Sequence, residues 1–361
     1  MTTTAEPSLE AKPDAAPTQR SGGGLWRYLL VRALLIIPTV FILVSLVFVL
    51  MRLTGDPITA ALGDRLPPDQ LAQRITEAGY DRPILVQYVE YLGNLLRGDF
   101  GTTISTRQPV LDVLFQYGPA TLELAIYALV VAFAVGIPLG RIAAYRRDLW
   151  QDAALRISAI LFYATPVFFA GLMLKLVFGV WLQWLPIAGR LTTSSELQLK
   201  RLDTGTGIFL IDAIQTGRGD VVVDVLLHAV LPAVALGLLT AGVFLRLVRT
   251  NMIGTLQQDY VTAARSRGVR ERRLVNTHAW RPALVPIITV IGLQIALLLG
   301  GAVLTETTFE WRGLGFMLVE FIKARDFVAV QGIVALLAVI VAVTNFVVDV
   351  VAALVDPRVR F

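Results

Sequence analysis

Cysteine is absent from the 361 residues. That excludes disulfides, thiolate metal ligands and cysteine nucleophiles. Histidine occurs only at His228 and His278, far apart in the chain, so no H-E-x-x-H zinc site exists. Glycine is nowhere followed by lysine, which removes the G-x-x-x-x-G-K-[ST] phosphate cradle, and no G-x-S-x-G elbow appears. The chain is expected to be no enzyme and to bind no cofactor or metal itself. Charge is scarce as well. Asp, Glu, Lys and Arg make up 16% of the residues against 55% hydrophobic, and mean hydropathy is +0.67, whereas soluble domains carry about 25% charged residues. A surface this apolar is solvated by lipid.

A hydrocarbon core of about 30 Å takes roughly 20 apolar residues in helical form. Six stretches meet this, near 28–51, 120–143, 157–181, 226–248, 284–305 and 328–354, and predict an all-α membrane protein. The first, LLIIPTVFILVSLVFVL, is flanked by Arg27 and Arg32 on one side and Arg52 on the other. It is too long for a signal peptide and lacks a small-residue cleavage site, so it reads as a retained helix.

Orientation follows from Lys and Arg in the short flanks. Arg141, Arg146, Arg147 and Arg156 surround the joint between the second and third stretches. Arg249, Arg265, Arg267, Arg270, Arg272, Arg273 and Arg281 crowd the joint between the fourth and fifth, against only Asp259 and Glu271. Both joints are expected to be cytoplasmic. Residues 53–118 hold five Arg against eight acids and are expected outside. Six spans then put both termini in the cytoplasm, in agreement with the basic end DPRVRF. Topology accounts for the net charge of +5, and no nucleic-acid partner is expected.

The organisation that follows has four parts. Residues 1–24, rich in Thr, Ala, Pro, Ser and Gly, read as a disordered cytoplasmic tail. Residues 25–118 read as the first span plus an outer cap. Residues 119–354 read as a five-helix core with a cytoplasmic loop at 250–283, and 355–361 as a cytoplasmic tail. Outer insertions as long as 53–118 and 182–225 are usually folded or functional. The first contains PILVQYVEYLGNLL, with Leu85, Val89, Leu92 and Leu96 at helical spacing, which predicts an ordered cap over the external mouth. Within it, Arg97, Gly98, Asp99, Phe100 and Gly101 form RGDFG; the glycines permit a tight turn that sets Phe100 on the bundle and leaves Arg97 or Asp99 free for a partner.

Charges inside spans mark ion pathways by default. Glu123 and Lys175 are the candidates. Both fall toward the outer ends of antiparallel spans, so they are expected to pair with each other and not to form a relay. GIPLG at 136–140 is a small-xxx-small pattern interrupted by Pro138. Pro38, Pro138, Pro166, Pro232 and Pro286 each free a carbonyl and can kink a helix.

The polar stretch QDYVTAARSRGVRERR at 258–273 is longer than a connection between two spans requires. Following Asp259, the residues Tyr260, Ala263 and Ala264, with Val261 as a further candidate, predict a short helix with a small, partly apolar face, and Gly268 is placed to stop it in a left-handed turn. A cytosolic partner could seat such a helix. With the run RRLVNTHAWRPALVP that follows, it resembles the EAA loop of ABC-importer permeases, with Thr262 standing where that pattern has an acidic residue. YDRPILVQYVEYLGNLLRGDFGTT at 80–103, PATLELA at 119–125, IPLGRIAAYRR at 137–147, WLPIAGR at 184–190, FEWRGLGFMLVEFIKARDF at 309–327 and the terminal DPRVRF resemble the dipeptide/oligopeptide/nickel permease family, in particular its first-type subunit with GDFG in the outer loop. The resemblance runs from about 25 to 361.

That resemblance implies the six-helix fold of type I ABC importer permeases in the inner membrane of a prokaryote, and import of short peptides by alternating access. The partners it implies are a second, related permease, two ABC ATPases that use ATP and Mg, an external substrate-binding protein and the lipid bilayer. The helix at 259–268 would dock on an ATPase. Nickel or glutathione import by the same family is the near alternative. A self-sufficient secondary transporter is the distant one, and it calls for mid-membrane acids and inverted repeats that the sequence does not display.

Overall fold

The computed structural model describes residues 24–199 and 205–355. The expected tail at 1–24 lies outside them except for Gly24, and the tail at 355–361 except for Val355. The described residues are mostly helical, and among them the only β contact is an isolated bridge between Thr102 and Pro109. In chain order the helices are α1 (Gly24–Leu53), α2 (Pro57–Leu62), α3 (Pro68–Glu77), α4 (Ile84–Leu96), α5 (Val110–Tyr145), α6 (Trp150–Ala164), α7 (Val167–Leu174), α8 (Thr193–Leu199), α9 (Phe209–Gln215), α10 (Gly219–Leu256), α11 (Asp259–Ser266), α12 (Glu271–Arg273), α13 (Trp280–Phe309), α14 (Leu314–Lys323) and α15 (Phe327–Val355). Wider π-helical turns continue α7 over Lys175–Trp181 and link α12 to α13 over Leu274–Ala279.

Among the described residues, four helices are long and apolar enough to cross a membrane: α1, α5, α10 and α15. The bent pair α6 and α7 brings the number to five if it forms one span. The stretch expected at 157–181 as a single span is therefore corrected: it is broken by a 104° bend. The cause is local. Thr165 precedes Pro166, whose ring disfavours a helical conformation for its predecessor, and Thr165 adopts φ −77, ψ 123. The stretch expected at 284–305 lies within the 30 residues of α13.

The central contact is α5 against α10. GIPLG makes it possible, because a Cβ at Gly136 would lie 2.7 Å from the Ala241 carbonyl and one at Gly140 2.7 Å from the Leu245 carbonyl. Only hydrogen at those positions lets the two backbones close, which is how small residues promote helix association in lipid. Phe244, Val248 and Met252 of α10 are then buried together with Ala144 of α5 and Ile287 of α13. α1 stands at the edge beside α15, joined by an Arg32–Asp349 ion pair at 3.3 Å. α5 and α10 have 36 and 38 residues, and at about 1.5 Å per residue they outrun a ~30 Å core. Their surplus length carries the polar loops.

Candidate functional site

α10 ends at Leu256, and α11 begins at Asp259. Asp259 sits in the first turn and Arg265 in the last, the polarity that suits the helix dipole. The chain leaves α11 through Gly268 at φ +80, where a side chain would be strained, while the Val269 amide donates to the Ala264 carbonyl at 3.2 Å. The helix has two faces. Val261 and Ala264 are buried with Leu274 and packed by Leu256 and Val269. Asp259, Tyr260, Thr262, Ala263, Ser266 and Arg267 are exposed. The two alanines thus separate: Ala264 packs on its own chain and Ala263 faces away from it. Arg265 Nε meets Glu271 Oε1 at 2.6 Å, and that carboxylate raises the guanidinium pKa above its usual value.

Two clamps tie this loop to the bundle. Arg249 of α10 donates through Nε and Nη2 to Asp152 of α6 at 2.6 and 2.8 Å, a planar fork matched to a carboxylate. Asp152 is fully buried and also accepts from the Asp148 amide at 3.2 Å. On the other side Arg141 of α5 donates to Asn276, and its guanidinium lies 4.8 Å from the centre of the Trp280 ring. Sequence reasoning counted Arg141 and Arg249 only as orientation charges. The signal it passed over is Asp152, an acid among the basic flanks of α6.

A second buried polar cluster gathers around Glu123. Glu123 accepts from Arg190, from the Tyr127 hydroxyl at 2.8 Å and from the Leu210 amide at 2.9 Å at the start of α9. Arg190 also donates to the Gly207 carbonyl at 2.9 Å and is flanked by the rings of Phe209 and Trp311, at 3.5 and 5.4 Å from their centres. The expected Glu123–Lys175 pair is therefore corrected. Lys175 donates instead to the Thr308 carbonyl at 2.8 Å and lies over Phe309. The arginine of WLPIAGR folds back into the bundle and offers Glu123 a cation together with two aromatic walls. Beside it Glu306 accepts from Thr121 Oγ1 at 2.7 Å and from the Phe316 amide at 2.8 Å, and Trp311 Nε1 donates to the Ala120 carbonyl at 2.8 Å. These bonds fasten Trp311 to α5, α13 to α5, and the start of α14 to α13. Glu306 lay at the edge of an expected span and went unnoticed.

In the outer segment, Gly98 and Gly101 have φ +81 and +87, and Asp99 accepts from the Gly101 amide at 2.9 Å. Phe100 packs with Val110, Val113, Phe321 and Val330, whereas Arg97 and Asp99 are exposed. α4 is helical as expected, but of the four spaced residues only Leu92 is partly buried, and Leu85, Val89 and Leu96 are exposed. It is Gln87, Tyr88 and Tyr91 that turn onto the bundle. Tyr88 and Tyr91 pack against Phe48 with ring centres 5.1 and 5.5 Å away. The seam between α1, α4 and α15 encloses a cavity of about 160 Å³ lined by Arg52, Tyr80, Gln87, Tyr91 and Gln331, and burial raises the Tyr80 phenol above its usual pKa. Among the described residues no group of three acids or histidines is placed to hold a metal ion.

Residues 136–361 match the family described as binding-protein-dependent transport system inner membrane component. Residues 25–126 match its N-terminal companion. The chain is 39% identical over 328 residues to a di/tripeptide transport system permease protein of Pseudomonas aeruginosa, covering 90% of this chain and 96% of that one. It is 37% identical to the dipeptide transport system permease protein of Escherichia coli K12, over 92% and 98%. It is 40% identical to the probable D,D-dipeptide transport system permease protein of the same organism, over 84% and 88%.

Proposed function

The chain belongs to the family of binding-protein-dependent transport system inner membrane components, and on that premise we propose that it is the permease subunit of an ATP-driven ABC importer for di- or oligopeptides. The observation that carries the reading is α11. It is a helix fixed by one face to its own chain with the other face exposed, on a polypeptide with no phosphate-binding loop in its sequence. Its relatives named for dipeptide transport support the cargo class.

In this reading the chain spans the membrane six times with both termini inside, pairs with a second related permease, and receives substrate from an external binding protein. Two ATPases on the cytoplasmic side use ATP and Mg. Movement of the ATPases displaces α11. Val261 and Ala264 pass the displacement to Leu274, and the Arg249–Asp152 and Arg141–Asn276 clamps pass it to α6 and α5. Because α10 is closely packed on α5 through Gly136 and Gly140, a push at the loop moves helices as bodies. The bundle then alternates between outward and inward access.

The test is uptake by proteoliposomes containing the five-subunit assembly, with labelled dipeptide, labelled oligopeptide, glutathione and nickel in parallel. Peptide uptake that requires ATP on the ATPase side supports the proposal. Uptake of nickel or glutathione alone would move the chain to another cargo of the same family, and uptake by this chain without ATP would indicate a secondary transporter.

A further inference from the structure

α4 carries a single charged side chain, Glu90, and Arg82 engages it at 2.5 Å. Gln87 and the two tyrosines point inward: Gln87 is buried and donates to the carbonyls of Tyr80 and Arg82 at 3.1 and 2.7 Å, and the Tyr88 hydroxyl meets Ser45 Oγ of α1 at 2.6 Å. Outside, next to the exposed Glu90 and Asn94, lies an apolar stripe. Leu85, Val89 and Leu96 are 78%, 67% and 90% exposed, with Ile84 beside them. The outer half of α1 is equally bare, through Leu46, Val49, Leu50 and Leu53.

Depth decides what covers this stripe. Arg32 and Arg52 bracket the apolar stretch of α1, and at about 1.5 Å per residue they lie roughly 30 Å apart, one hydrocarbon thickness. Ser45 and Phe48, the residues that α4 touches, then sit about 10 and 6 Å below Arg52. Amphipathic helices at a membrane surface seat their apolar face about 5–10 Å into the headgroup and acyl boundary. Tyr80, Tyr88 and Tyr91 gather at the same level, where tyrosine is enriched. A stripe facing water would be an exposed apolar patch of the kind soluble surfaces avoid. A surface meant for reversible protein docking mixes polar groups with apolar ones, and this stripe has none.

We propose that α4 is immersed in the boundary of the outer leaflet and that Leu85, Val89 and Leu96 are covered by lipid acyl chains, continuous with the lipid face of α1. The outer segment is then anchored in the membrane beside the bundle, and does not close over its mouth. This rests on the importer reading only for the side of the membrane on which α4 lies.

The absence of cysteine makes single-cysteine labelling direct. Nitroxides are placed at Leu85→Cys and Val89→Cys, with Leu46→Cys on α1 as the lipid reference and Ala72→Cys on α3 as the aqueous reference, in the reconstituted importer without its binding protein. Collision with oxygen is compared with collision with a water-soluble nickel chelate. The expected oxygen-to-nickel ratio at Leu85 and Val89 matches Leu46 and stands several-fold above Ala72. A ratio like that of Ala72 overturns the proposal, as does low collision with both reagents, which would mean a protein partner covers the stripe. If Leu46 itself reads as aqueous, the membrane reading of α1 fails, which is a different failure.

Discussion

Glu123 and Arg190 are each more than nine-tenths buried and bonded to one another. Removing one member of such a pair strands the other charge, at a cost of about 3–5 kcal/mol. Glu123→Gln or Arg190→Met should therefore lower the thermal unfolding midpoint of the detergent-purified complex sharply, and the double variant Glu123→Leu, Arg190→Met should recover part of the loss. A loss in the double variant equal to the sum of the two single losses would mean that the ion pair itself contributes little. The two alanines of α11 offer a sharper contrast. Ala264 is packed against Leu274, so Ala264→Arg overpacks its own chain, typically at 1–3 kcal/mol, and should reduce stability before any partner is involved. Ala263 is exposed. Ala263→Arg should leave the unfolding midpoint unchanged and abolish uptake. If the two variants behaved alike in both measurements, the division of faces on α11 would be wrong.

The elements differ in how plainly they were written in the sequence. α1, α10 and α15 were legible because an apolar run about 20 residues long has one stable form in lipid. α11 was legible because a polar stretch with alanines and a following glycine has a start and a stop. What could not be read is pairing across the chain. Arg190 lies 67 residues from Glu123 in sequence, and nothing local tells a carboxylate which of several cations will fold back to it; Lys175, nearer in expected depth, was the wrong choice. The inward face of α4 was misread for a related reason. The leucine spacing marks an apolar stripe correctly, but whether lipid or protein covers it depends on Phe48 and Ser45 of another helix. The clamps were invisible for the same cause, and they carry a prediction at this scale. Arg249→Met removes the fork on Asp152, so α10 and α6 should lose their rigid connection near α11. Uptake should fall while ATP hydrolysis by the assembled complex persists, and Arg249→Lys, which keeps the charge and loses the fork, should restore only part of it. Unchanged uptake per ATP hydrolysed in Arg249→Met would exclude the clamp from transmission.

At the scale of the whole molecule, the asymmetry of charge, the long α5 and α10, and the loop they support favour the proposed reading of a bundle driven from its cytoplasmic end. One half of the bundle is fastened by buried bonds between α5, α9, α13, Trp311 and the start of α14, while the half proposed to face the cytoplasm ends in a helix with an exposed face. Force is therefore expected to enter through α11 alone. The most direct measurement is ATP-dependent uptake of a labelled dipeptide by proteoliposomes holding the complete importer, made with the wild-type chain or with Ala263→Arg, with subunit assembly checked in both. The expected result is uptake by the wild type and none by the variant, although all five subunits remain together. Equal uptake by the two, or uptake that continues when ATP is withheld, would contradict the claim that this chain couples ATP hydrolysis on its partners to transport through α11.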